Sequence, residues 1–124
     1  GKNTAECIGY VGKKNSVTIP PSLKYMGVTY QITSIKTKAF SGNKNLRSIV
    51  IPSSIRTIGS QAFFNCKNLR NITIKTPYLS KKTVGAKAFK GIHAKAKIKV
   101  PKKQKKAYQK LLKAKGAGKK VTIK

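Results

Sequence analysis

The pair Ala39-Phe40 returns as Ala62-Phe63 and again as Ala88-Phe89, at spacings of 23 and 26 residues. A second marker keeps the same irregular period. Ile49-Val50-Ile51-Pro52 returns as Ile72-Thr73-Ile74 and then as Ile98-Lys99-Val100-Pro101. Two unrelated markers held in phase define a structural unit, and such periods belong to repeat architectures. Val17-Thr18-Ile19-Pro20 is an earlier strand marker, 32 residues before Ile49. Val121-Thr122-Ile123 reads as a later one, 23 residues after Ile98. Between the markers lies a third element, Ile32-x-x-Ile35 and Ile55-x-x-Ile58. In the third unit Val84 takes the last of these places, with Leu79 nearby.

The Ile-x-Ile alternation with β-branched residues predicts a very short strand with both isoleucines on one face. Pro52 and Pro101 stop two of these strands. The Ala-Phe segment is too short for a helix that stands alone. It is expected to form one turn of α- or 3₁₀-helix whose Phe plugs the core, with Gly42, Gly59 and Gly91 at backbone turns. A single unit cannot bury its apolar side, whereas stacked units can, each adding its strand to a growing parallel sheet. Ile55, Ile58, Ala62, Phe63 and Leu69 are expected in the core. The outward middle residues Thr18, Val50, Thr73, Lys99 and Thr122 are expected to form one exposed row. Phe64 is expected to be an exposed aromatic, because Ser41 and Lys90 hold the same place in the other units.

Charge restricts the chemistry further. There are 29 Lys and Arg residues against a single acid, Glu6, for a formal net charge of +28. Eighteen lysines lie from Lys75 onward. Such self-repulsion opposes compaction and favours polyanionic partners: nucleic acid, anionic lipid surfaces, acidic glycans, wall polymers or an acidic domain. One acid excludes paired-carboxylate catalysis, a Ser-His-Asp triad and the usual calcium or magnesium cages. His93, Cys7 and Cys66 would all have to converge for a zinc site. No cofactor, metal or enzymatic activity is expected. Lysine rather than arginine suits diffuse electrostatic contact more than bidentate base readout. Nucleic acid would bind such a chain non-specifically in vitro whatever its biology.

The ends read differently from the middle. Ala5–Val11 resembles a strand-bearing N-terminal cap, and Lys24–Tyr30, with Gly27 at a turn, a hairpin that lengthens the first spacing. "PKKQKKAYQKLLKAKG" predicts a helix from Pro101 to Gly116. Its apolar stripe is Ala107, Tyr108, Leu111, Leu112 and Ala114. It reads as a cap on the last unit, with a basic membrane-surface helix as the alternative. Lys102 and Lys103 lie at the positive end of its dipole, where cations cost about 0.3–1 kcal/mol each, so stability did not choose them. The tyrosines read as cap and edge packing, His93 as a solvated turn residue, and Cys66 as a small core thiol. Cys7 and Cys66 make one disulfide or none. No apolar run approaches a membrane span. The opening Gly1-Lys2, without Met, reads as a processed or trimmed piece.

Leu-x-x-Ile-x-Ile-Pro followed by Ile-Gly-x-x-Ala-Phe-x-x-Cys, clearest over Leu46–Ile74, resembles the BspA-type leucine-rich repeat of bacterial surface proteins. The resemblance implies an α/β fold, a short right-handed solenoid of stacked parallel strands, and export to the cell surface. It implies an adhesion or binding role and carries no fixed ligand residues. Few repeats and a high lysine content depart from the family. The expectation is a single domain over 1–124, with an N-terminal cap at 1–16, repeats at 17–100 and a C-terminal cap at 101–124. It is read as a monomeric extracellular module contacting a protein or an anionic polymer (cell wall, glycan or host surface). The candidate surface is Thr18, Val50, Phe64, Thr73, Lys99, Lys102, Lys103, Lys106 and Thr122. A nucleic-acid-binding protein and a purely architectural spacer are the competing readings.

Overall fold

The computed structural model describes residues 3–9 and 14–124. Tyr10 and Val11 of the expected N-terminal strand segment lie outside those residues. The short strands of the units form two sheets. The first sheet takes β1 (Thr4–Cys7), β3 (Ser22–Tyr25), β4 (Val28–Ile35) and β6 (Thr57–Ile58). The second takes β2 (Ser16–Thr18), β5 (Ser48–Ile51), β7 (Asn71–Ile74), β8 (Lys97–Lys99) and β9 (Thr122–Ile123). In the second sheet every pairing is parallel and the order β2-β5-β7-β8-β9 follows the chain. Consecutive units are therefore neighbours, as local repetition requires. In the first sheet β1, β4 and β6 are parallel, and Val84 extends the series by an isolated bridge to Ile58. The exception is β3, which turns back antiparallel on β4 through Met26 and Gly27. Both residues have positive φ, 52° and 78°, the two-residue loop that suits the twist of a hairpin.

The strand alternation works as the pattern predicts. Ile49, Ile72 and Ile98 stand side by side in register and are fully buried, as are Ile51 and Ile74 beside each other. Behind them runs a column of rings. Phe40 stacks on Phe63 and Phe63 on Phe89, each pair with centroids 5.3 Å apart and planes within 7° and 16° of parallel. Ile55, Ile58, Ala62, Phe63 and Leu69 are all buried. Burying each Phe contributes about 1.5–3 kcal/mol, and each stacked pair about 0.5–1.5 kcal/mol more.

The Ala-Phe segments are not helical. They are runs of tight turns that pair with one another. Within the first unit the amides of Ala39, Ser41 and Asn43 donate to carbonyls three residues back. The alternate amides, of Lys38, Phe40 and Gly42, donate to Ser60, Ala62 and Phe64 of the next unit at 2.7–3.0 Å. Gln61, Phe63 and Asn65 repeat this onto Ala86, Ala88 and Lys90. Every backbone donor in the run is thus paired, half locally and half across units, which a helical turn could not achieve. Left-handed residues recur two before and two after each Phe: Lys38, Gln61 and Lys87, then Gly42, Asn65 and Gly91. Gly59 and Gly85 answer the close approach of adjacent units. A Cβ on Gly59 would overlap the backbone of Thr37, and one on Gly85 the backbone of Ser60.

At the far end a 3₁₀ turn (Lys102–Gln104) leads into α1 (Lys105–Ala114). Tyr108, Leu111 and Leu112 face the core, whereas Ala107 and Ala114, expected in the same stripe, are exposed. Three residues at spacing 3 and 1 already cover the contact, and the two alanines fall outside that arc. The Tyr108 hydroxyl donates to Thr76 O at 2.7 Å and accepts from Leu79 N at 3.1 Å, both buried. Thr76 Oγ1 in turn donates to Ile55 O. Phe89 N donates to Lys115 O, so Lys115 stands where Ala62 and Ala88 stand in earlier units. The next residue, where a further Phe would fall, is Gly116 with φ 110°, and the ring column stops there.

Candidate functional site

The outer face of the second sheet carries two rows of side chains set by the strand register. One row is Thr18, Val50, Thr73 and Lys99, as the marker spacing predicts. The other is Ser16, Ser48, Asn71, Lys97 and Thr122. Thr122 pairs with Lys97 and Ile123 with Ile98, not Thr122 with Lys99 and Val121 with Ile98 as the spacing of 23 implied. A slip of two residues keeps every side chain on its own face, so the expected row shifts by one step without turning over. Adjacent strands sit about 4.8 Å apart, and each row is therefore a ladder of closely spaced side chains, polar except at Val50. Its composition changes along the stack. Small hydroxyl and amide groups and Val50 occupy β2, β5 and β7, and lysines occupy β8. At the small end Ser16 Oγ and Ser48 Oγ share a hydrogen bond of 2.8 Å.

Helix α1 continues the cationic end. Gln109, Lys110 and Lys113 line a groove of about 470 Å³ together with Val121, Thr122 and Ile123, and Gln109 Nε2 donates to Ile123 O at 3.4 Å. Lys106 shares a neighbouring depression with Ala107, Gln109 and Lys110. Lys102 and Lys103 are exposed on the 3₁₀ turn. Phe64 does not belong to either row. It sits on the turn ladder and is half-buried rather than exposed, because its backbone is bonded both to Gln61 and to Gly42, which holds it against the frame.

Sequence spacing missed a compact cluster beside these rows. Arg70, Asn71, His93, Lys95 and Lys97 line one depression of about 280 Å³. A one-residue displacement of the buried position hides it: Leu69 lies three residues before Ile72, whereas Ala96 lies two before Ile98. Counting back from Ile98 puts Lys95 level with the buried Leu69, yet Ala96 is the buried residue and Lys95 is exposed. His93, expected as a solvated turn residue, is half-buried, and its Nδ1 accepts from Lys95 N at 3.0 Å.

Other candidate residues are inert. Cys7 and Cys66 are both free. Cys66 is fully buried, and its thiol donates to Phe40 O at 2.9 Å. Burial pushes that thiol up to about 11, partly offset by a backbone hydrogen bond at Asn43. Cys7 is shifted the same way, first by burial, with Gly9 lowering it and Glu6 raising it. High thiol values hold both cysteines in the unreactive protonated form. Tyr108 is structural, while Tyr25 and Tyr78 are exposed; Arg56 lies over the Tyr78 ring, 4.3 Å from its centroid. Among the described residues, no three His, Cys, Asp or Glu side chains gather as a metal site. No helix there is long and apolar enough to cross a membrane.

Known structures share this frame. A leucine-rich cell surface protein from Faecalibacterium prausnitzii A2-165 superposes with a TM-score of 0.62 at 25% identity, covering 81% of this chain and 33% of that one. A leucine-rich repeat protein from Bacteroides ovatus ATCC 8483 superposes with a TM-score of 0.51 at 31% identity, covering 69% of this chain and 27% of that one. The chain thus spans a third or less of either neighbour's length. No curated protein matches it. The profile of the BspA type leucine rich repeat region matches residues 13–124 in six copies. With its Ile ladders, Phe column and in-phase parallel strands all in place, the chain belongs to the BspA-type leucine-rich repeat family.

Proposed function

We propose that this chain is a non-enzymatic binding module of an exported bacterial surface protein. It engages anionic polymers, host surface components or protein partners through the outer face of its second sheet and the basic surface of α1. One observation carries this reading: a BspA-type frame presents hydroxyl and lysine ladders with no acid among them. Repeat frames of this kind serve as extended binding surfaces. The F. prausnitzii neighbour is a cell surface protein, which supports an extracellular location. In this reading the stack is a right-handed solenoid forming one domain over 1–124. Residues 1–16 close its N-terminal end, 17–100 form the repeats, and 101–124, with α1, close the other end. Thr18, Val50, Thr73, Lys99 and Thr122 supply the sheet contacts. Lys102, Lys103 and Lys106 extend them, and Phe64 offers a separate contact on the turn side. The module acts as a monomer.

The test is retention of the full chain on immobilised anionic wall polymer and anionic host glycan, against an uncharged glycan and duplex DNA, at physiological ionic strength. Binding to the anionic polymers at least tenfold tighter than to DNA supports the proposal. Sequence-selective submicromolar DNA binding without glycan retention contradicts it. Surface labelling of intact cells gives a second check, since a protein confined to the cytoplasm is incompatible with the role.

A further inference from the structure

The depression lined by Arg70, Asn71, His93, Lys95 and Lys97 differs from the rest of the basic surface. Its members come from two adjacent units and are held by the frame. Asn71 and Lys97 are in register on β7 and β8. Lys97 N donates to Arg70 O at 2.7 Å, and His93 N donates to Leu69 O at 3.1 Å. These bonds fix the backbone on both sides of the hollow. The hydrogen bond from Lys95 N to His93 Nδ1 uses the acceptor nitrogen of the ring, so Nε2 carries the ring hydrogen and is a donor. The side chains then offer a guanidinium, two ammonium groups, an imidazole N–H and an amide NH₂. The Asn71 carbonyl oxygen is the only acceptor. The one acid of the chain, Glu6, is on β1 in the other sheet.

We infer that this cluster is a specific site for a tetrahedral oxyanion, a sulfate or phosphate ester carried on a polymer. The inference rests on the polyanion-binding reading and narrows it to one site and one ligand chemistry. Donors line the hollow from both units, so an anion with three terminal oxygens can accept from more of them than a planar carboxylate can. A guanidinium forks onto two such oxygens while lysines act as point charges. The absence of Phe, Tyr or Trp from its lining removes the stacking platform that single-stranded nucleic acid uses. The α1 depressions also hold lysines, but without an arginine or a histidine.

The experiment measures equilibrium binding of the full chain to a sulfated oligosaccharide, its desulfated form, inorganic polyphosphate and a polycarboxylate of equal charge density. Two charge-matched variants are compared, Arg70→Gln with Lys95→Gln, and Lys82→Gln with Lys119→Gln. All four side chains are exposed, and thermal melts verify folding. The expected result is a loss of at least tenfold for the first variant on sulfate or phosphate ligand and less than threefold for the second. The stronger of these two ligands names the ester. Equal losses in both variants, or equal affinity for the polycarboxylate, overturn the site while leaving the wider reading standing. If the unmodified chain binds none of the anionic polymers at physiological salt, the wider reading falls with it.

Discussion

Single residues carry much of the account. Phe63 lies between two other rings with no exposed surface. Phe63→Ala is expected to cost about 3–5 kcal/mol in urea unfolding, a large share of the roughly 5–15 kcal/mol available to a domain of this size. Its role was legible because the Ala-Phe period has no other economical explanation. Phe64 was misread for a physical reason: the polar residues at its equivalents, Ser41 and Lys90, report what those sites tolerate, not how far the Phe64 ring folds onto the frame. Cys66 gives a cleaner test. Its thiol is pushed from 9.0 to about 11 by burial, so alkylation of Cys66 at pH 8 should be negligible in the folded protein and complete in denaturant. Mass mapping of labelled peptides checks this. The folded state holds the Cys66 proton more tightly than the unfolded chain does. This contribution is therefore intact below about pH 9 and is lost as pH rises toward 11. In urea melts from pH 8.5 to 11, Cys66→Ala should show a shallower loss of stability than the parent.

At the scale of elements, strands read more clearly from sequence than turns or ends. Alternation named β5, β7 and β8, because a strand's inward residues must repeat every two positions. The same period concealed the slip of β9, since a two-residue shift changes no side chain's face. The turn ladder was invisible for another reason. Left-handed backbone at Lys38, Gln61 and Lys87 is set by hydrogen bonds to the neighbouring unit, and none of these residue types favours that conformation. Helix α1 was legible, but its anchor was not. The Tyr108 hydroxyl bridges Thr76 O and Leu79 N across a separation of about thirty residues. Tyr108→Phe strands both groups in the core and should cost about 1–3 kcal/mol, read from the unfolding midpoint at constant slope. The first turn of α1 holds no acid and its N-cap makes no side-chain hydrogen bond. Lys105→Glu should accordingly add about 0.3–1 kcal/mol through the helix dipole. It should exceed Lys82→Glu, an equal charge change away from the helix, by a similar margin.

For the molecule as a whole, the net charge of +28 sets the relation between folding and binding. Twenty-nine cations share one small surface, and added salt screens their mutual repulsion over about 8–10 Å at ordinary ionic strength. The midpoint of thermal unfolding should therefore rise between low salt and 0.3 M sodium chloride, whereas affinity for any polyanion should fall over the same range. The excess of lysine toward the C-terminal half was plain in the sequence. Its arrangement was not, because the cluster around Arg70 and His93 depends on a one-residue displacement of the buried position before β8, at Ala96, which leaves the spacing from Phe89 to Ile98 unchanged. The most direct measurement is an amide chemical-shift map of the full chain titrated with an anionic oligosaccharide at physiological salt. The account predicts shifts concentrated on Arg70, Asn71, Thr73, His93, Lys95, Lys97, Lys99 and the exposed side of α1. Shifts centred instead on the turn ladder around Lys36, Lys38, Lys87 and Lys90, or spread evenly over every lysine, would contradict it.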